Sequence, residues 1–213
     1  MNVFSVSGDL LRLTSSMLLL QDLRTSQSAS GLSRKGLELA LLAVCCRYLD
    51  LMLFFVGAYN SLMKLFFVAL AAYPVYLCHY SKSHLASYES ALDTFPATHA
   101  LAVCAGLSVL IHPALNAVDL AWSFAVWLEV AAVLPQITLC ERLTEQREGL
   151  RIWTALWTAS RWLYVCSFLY RFLYEGLAVN KIAMVGCMGQ AAIGVKLMMV
   201  LLSKRESGHK KTE

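Results

Sequence analysis

The sequence predicts an all-α membrane protein with seven transmembrane helices, and three observations carry that prediction. Of 213 residues, 58% are hydrophobic and 15% charged, where soluble domains hold roughly 45–50% and 25%; the mean hydropathy is +0.58. The apolar residues fall into stretches close to the ~20 residues that cross a bilayer. The basic residues gather in alternate connections, as they do on the cytosolic side of membrane proteins. One compact helical unit is expected over 1–203, followed by a hydrophilic, disordered cytosolic tail over 204–213. The net charge of +4 is spread over loops and tail without a basic stripe, so no nucleic-acid partner is expected; membrane lipid is.

The first span, 2–20, lacks a basic leader and is interrupted by Asp9. It is therefore expected to act as its own insertion signal rather than as a cleavable signal peptide. The second, 37–57, is apolar on both sides of Arg47 and Asp50. The third, 61–79, and the fourth and shortest, 96–112, are almost free of charge. The fifth, 118–138, carries Glu129; the sixth, 152–173, carries Arg161 and Arg171; the seventh covers 181–202. Between them lie polar connections such as DLRTSQSASGLSRKG, HYSKSHLASYESALD and CERLTEQREGLR. The connections after spans 1, 3 and 5 and the tail hold eleven basic residues, the opposite side only Lys64 and Lys181. That asymmetry predicts a luminal N-terminus and a cytosolic C-terminus. The seven cysteines show no C-x-x-C spacing and no histidines at metal-ligand spacing, so they read as small apolar fillers, with no metal and no cofactor expected.

Charges inside the spans are the functional signal, because each costs ~2.5–3.5 kcal/mol at the bilayer centre and normally faces a polar cavity or a partner. At ~1.5 Å rise per residue, Arg47 lies ~15 Å and Asp50 ~20 Å above the cytosolic start of span 2. A luminal layer then holds Asp50, Asp119, Trp122, Tyr164 and Arg171, with Arg47 just beneath; a middle layer holds Arg12, Glu129 and Arg161. Mixed charge in a luminal cavity suits a zwitterionic or peptidic ligand, with the planar arginine fork taking a carboxylate. The plainer readings stay open. Arg47 and Asp50 would neutralise each other within one helix, Glu129 and Arg161 would form a buried ion pair, and Asp9 would cap or pair locally with Arg12.

The segments MNVFSVSGDL (1–10), SASGLSRKG (28–36), RYLDL (47–51), AYNSLMK (58–64), DTF (93–95), the run W-S-F-x-x-x-L-E-x-x-A-x-L-P-Q (122–136) and Y-R-F-x-x-E-G (170–176) together resemble the KDEL receptor family. The resemblance implies a fold similar to SWEET and PQ-loop transporters, with two three-helix repeats joined by helix 4; Pro135-Gln136 fits the second repeat. It implies a receptor that binds luminal proteins by C-terminal KDEL-like tetrapeptides in the Golgi and returns them to the endoplasmic reticulum with COPI coat. Arg47 and Tyr48 would then hold the ligand's terminal carboxylate, Asp50 and Asp119 its lysine near Trp122, and Arg171 its aspartate. Glu129 and Arg161 would belong to the switch that couples binding to helix movement.

Several positions depart from the family pattern. Ser5 stands where an arginine meets the ligand's penultimate acid, and Arg12 where a histidine senses pH. Ser160 replaces a switch tyrosine, Phe168 a luminal tryptophan and Phe54 a small polar residue; Asp119 stands where glutamate is usual, and Asn180 and Lys196 replace aspartates. Arginine keeps its proton where histidine would titrate, so either binding loses pH dependence or sensing passes to Glu129 or His112. The chain ends in HKKTE, and Lys210 and Lys211 resemble the dilysine signal read by COPI coat. A receptor, not an enzyme, is the expected class. A divergent paralogue without tetrapeptide binding and a SWEET- or PQ-loop-type small-solute transporter are the rivals.

Overall fold

The computed structural model describes residues 2–53, 55, 57–143, 146–176 and 180–209, with backbone alone at 52, 53, 59 and 205–209. Lys210, Lys211 and Phe54 lie outside the described residues. Every element among the described residues is helical.

Helix α1 (Val3–Ser26) starts where the Asn2 side chain accepts the Ser5 N–H, and it ends in a left-handed residue, Gln27. Helix α2 (Arg34–Arg47) is capped by Ser33, whose Oγ accepts from the Gly36 N–H. The single second span expected from the sequence is not continuous: the chain leaves helical form at Tyr48–Leu49 and resumes in α3 (Asp50–Leu53). Gly57, with φ 156°, then supplies the backbone freedom that turns the chain into α4 (Ala58–Tyr80). A short helix that the polar loop did not announce, α5 (Lys82–Ser87), precedes α6 (Ala97–Leu110). The fifth span is also divided, into α7 (Ala117–Ala131) and α8 (Leu134–Arg142). Pro135 causes that break, since it has no N–H to return to the Ala131 carbonyl. Helix α9 runs Glu148–Leu173 and α10 runs Lys181–His209, so the first part of the tail continues the last helix instead of leaving it.

Among the described residues four helical stretches are long and apolar enough to cross a membrane: Val3–Ser26, Asn60–Tyr80, Ala117–Arg142 and Lys181–Lys204; Ala97–Leu110 is apolar but shorter. Six helices pack as a ring in the order α1, α4, α2, α7, α10, α9 and back to α1, with α6 outside the ring against α7. Small residues set the closest approaches. A β-carbon on Gly8 would lie 3.2 Å from the Tyr164 ring, and one on Gly186 would collide with Val126. Such contacts let helix backbones approach where lipid gives no hydrophobic drive between helices. One apolar cluster, around Leu23, Leu150, Leu197 and Leu201, fills the end of the ring near the α1 C-terminus; another, around Leu39, Cys104 and Leu128, holds α6 and α7 to α2. The seven cysteines are free; Cys78, Cys104 and Cys140 are buried, whereas Cys45 and Cys166 are exposed.

A polar knot closes the same end. Gln136 accepts the Ser33 N–H at 2.8 Å and donates to the Gly31 carbonyl at 2.7 Å. Ser33 and Tyr88 hydroxyls both donate to one oxygen of Asp93, at 2.8 and 2.7 Å, and Asp93 is 2% exposed. Burial, and then the bond to Asp93, holds the Tyr88 phenol above its ordinary titration range. The Pro-Gln pair therefore acts as a unit: proline breaks the span and glutamine ties the break to the connection before α2.

Candidate functional site

The middle charged layer forms, but with different partners from those expected. Arg47, the last residue of α2, pairs with Glu129 of α7 at 2.9 Å through Nε and Oε1. The other Glu129 oxygen accepts from Gln190 of α10 at 2.9 Å. Among the described residues the expected Glu129–Arg161 ion pair is not made, and Arg47 does not neutralise Asp50: the placement of the helices brings Arg47 and Gln190 to the Glu129 carboxylate instead. Asp50 pairs instead with Lys64 of α4 at 2.5 Å. Glu129 is 8% exposed on its side chain, whereas Arg47 keeps 22%. Arg47 also sits where α2 ends at membrane depth. The helix's negative dipole end favours a cation there, and broken backbone at such depth is tolerated only within protein or against a wet cavity.

Arg12 of α1 and Arg161 of α9 share the layer and lack a carboxylate in ion-pair contact among the described residues. Aromatic faces hold them: the Arg12 guanidinium lies 4.4 Å from the Phe67 ring centre, and that of Arg161 lies 5.1 Å from Trp157 and 5.7 Å from Tyr164. Cation–π contacts contribute about 0.5–2 kcal/mol, less than the ~2.5–3.5 kcal/mol that each central charge costs. A cavity of about 140 Å³ touches Arg12, Glu129 and Arg161 at one end and Ser33 and Gln136 at the other. It thus lies on the α2 N-terminal side of the charged layer, not on the side of Asp50 and Asp119 where the sequence placed the vestibule.

The remaining expected ligand-binding residues are not gathered into one surface. Asp119 accepts from Asn116 at the start of α7, at 2.6 Å from its side chain. Arg171 is half exposed and faces Glu175 one turn on, at 3.7 Å. The Tyr164 hydroxyl donates to Asp9 at 2.5 Å, so Asp9 bridges α1 to α9 and does not pair with Arg12. The Tyr48 ring lies 5.7 Å from the Lys64 ammonium. Ser5 donates to the Asn2 carbonyl and belongs to the α1 start; Trp122 is half-buried. Among the replaced positions, Ser160 is buried and donates to the Trp157 carbonyl at 2.6 Å, Asn180 caps α10, and Lys196 reaches Glu141 at 3.9 Å. Sequence reasoning missed Lys64 as the partner of Asp50, because it stands at a helix end in the count of charges. It missed Gln190, because an amide in an apolar span carries no charge signal.

A ring of apolar helices around a charged layer, with one spanning segment broken beside a buried arginine, defines a multi-pass helical membrane protein built around an internal polar site. Residues 28–171 match the family described as ER lumen protein retaining receptor. Relatives include the ER lumen protein-retaining receptor of Saccharomyces cerevisiae, 37% identical over 187 residues that cover 86% of this chain and 85% of that one. The Plasmodium falciparum receptor is 31% identical over 87% of this chain and 85% of its own. ER lumen protein-retaining receptor 2 of Xenopus tropicalis is 30% identical over 99% and 98%. The chain belongs to the ER lumen protein-retaining receptor family.

Proposed function

We propose that this chain is a receptor for C-terminal KDEL-like tetrapeptides of luminal proteins, which it captures in the Golgi and returns to the endoplasmic reticulum through COPI-dependent transport. The observation that carries the reading is Arg47: a guanidinium at a broken helix end, inside the bundle, still partly exposed, in a family whose members are named for retaining proteins of the ER lumen. In this reading seven spans place the N-terminus in the lumen and the tail in the cytosol. The ring order supports two three-helix repeats, since α1, α4, α2 and α9, α10, α7 each place the third span between the other two, and α6 stays outside.

The proposed capture is an exchange of carboxylates. The ligand's terminal carboxylate takes Arg47, assisted by the Tyr48 hydroxyl, and Glu129 is released towards the unpaired Arg12 and Arg161. Asp50 and Asp119 then receive the ligand lysine near Trp122, and Arg171 its aspartate. This requires the luminal ends of α3, α7 and α9 to draw together. The rival transporter reading has less support, because the knot of Ser33, Asp93 and Gln136 closes the cytosolic end. The test is binding of labelled tetrapeptides, free or amidated, to the purified protein. Free peptide should bind, and amidation or Arg47→Ala should each weaken binding by roughly thirtyfold or more, as loss of one partner of a buried charge pair costs ~2–5 kcal/mol. Equal binding of free and amidated peptide sinks the reading.

A further inference from the structure

We infer that the cavity on the far side of the charged layer is a second binding site, for an amphipathic monocarboxylate of the fatty-acid type that enters from the membrane between α1 and α4. Charge sets the head of this ligand. Glu129 pairs with Arg47 and accepts from Gln190, and one oxygen of Asp9 accepts from Tyr164. One carboxylate, Glu129, thus stands among three guanidiniums, and Arg12 and Arg161, which both line the cavity, make no ion-pair contact among the described residues. Arg161 is 5% exposed, and its Nε has no hydrogen-bond acceptor among the described residues. A single carboxylate at this point would accept from both guanidiniums, and the planar fork of arginine suits it.

The walls set the body of the ligand. Below the two arginines the cavity walls are mostly apolar, with Phe67, Leu70, Pro74 and Leu197 among them, and Ser33 and Gln136, already engaged in the knot, lie at its far end. A hydrated inorganic ion would leave those walls against water; an apolar chain covers them. The path in is lateral, because the knot around Asp93 closes the end of the ring. Leu70 lines both the cavity and a groove of about 670 Å³ on the outer surface between α1 and α4, walled by Met17, Leu20 and Phe66. At the far end of this groove Arg24 donates to the Tyr73 hydroxyl at 2.8 Å. Helices α1 and α4 touch less than the other ring neighbours α1 and α9 do, so this seam is the weak one.

The two arginines are also where Glu129 moves in the proposed capture, so the two ligands share a switch but not a cavity, and the experiment keeps them apart. Saturable binding of radiolabelled decanoate to the purified full chain in mild detergent is measured with competitors and variants, and tetrapeptide binding is followed in parallel. Unlabelled decanoate should displace the label; decanol and chloride at equal concentration should not. Arg161→Met should weaken decanoate binding by about tenfold or more, the loss expected for one charge-assisted partner. Ala71→Phe, which fills the cavity while leaving both arginines, should abolish decanoate binding and keep tetrapeptide binding. Displacement by decanol reduces the site to an apolar void, and displacement by chloride reduces it to a small-anion site; either overturns the proposal. So does decanoate binding unchanged by Ala71→Phe, or loss of both ligands together in that variant.

Discussion

Arg12 is the residue whose chemistry departs most from the pattern that the resemblance implies. Histidine in that place would change charge between mildly acidic and neutral pH, whereas a guanidinium does not. Here Arg12 lies over Phe67, near Glu129, Arg161, Asp9 and Tyr164. Tetrapeptide affinity should therefore stay nearly flat between about pH 5 and 8, and Arg12→His should restore a decline towards neutrality; a peptide titration of both proteins across that range checks this. A steep neutral loss in the parent chain would place the proton sensor elsewhere, with His112 next in line. A second prediction concerns Gln136. Truncation to alanine leaves the buried Ser33 N–H and the Gly31 carbonyl without partners, which should cost ~1–3 kcal/mol of stability, read as a lower midpoint in thermal unfolding. That Arg47 and Glu129 lie inside the bundle was legible in the sequence from charge within apolar spans; their pairing to each other was not. Depth alone matched Glu129 equally well with Arg161, and only the rotation of each helix decides the partner.

At the scale of elements, the sequence announced where apolar stretches lie and missed where they break. Hydropathy is blind to the step at Tyr48–Leu49, because the residues on both sides remain apolar. Pro135 did mark the second break, yet it was absorbed into a continuous span because its neighbours are equally apolar. The α1–α9 contact is the most extensive in the bundle and includes Gly8 against the Tyr164 ring, with Asp9 accepting from the same tyrosine one residue later. Gly8→Val should drive the helices apart at a cost of ~1–3 kcal/mol from overpacking. It should also break the Asp9–Tyr164 bond. Melting of the purified protein, compared with Tyr164→Phe alone, separates the two effects: the valine variant should fall further. The same periodic reading could not place α5, a six-residue helix whose composition is that of a polar loop.

For the whole molecule, the all-helical membrane class was the most legible property. Eleven basic residues in alternate connections against two opposite them predict one orientation. The tail is where cell-scale behaviour is tested. Replacing Lys210 and Lys211 together with serine should shift the steady-state distribution away from the endoplasmic reticulum, measured by imaging against resident markers of each compartment. An unchanged distribution assigns those lysines to anchoring alone. The knot of Ser33, Gln136, Tyr88 and Asp93 has a mechanical consequence for all of this. It makes the bundle a stoppered flask, fixed at its base. A shuttle that delivered solute straight through would have to draw that stopper on every turnover. A flask that only swallows a peptide end and signals through its walls leaves the stopper in place.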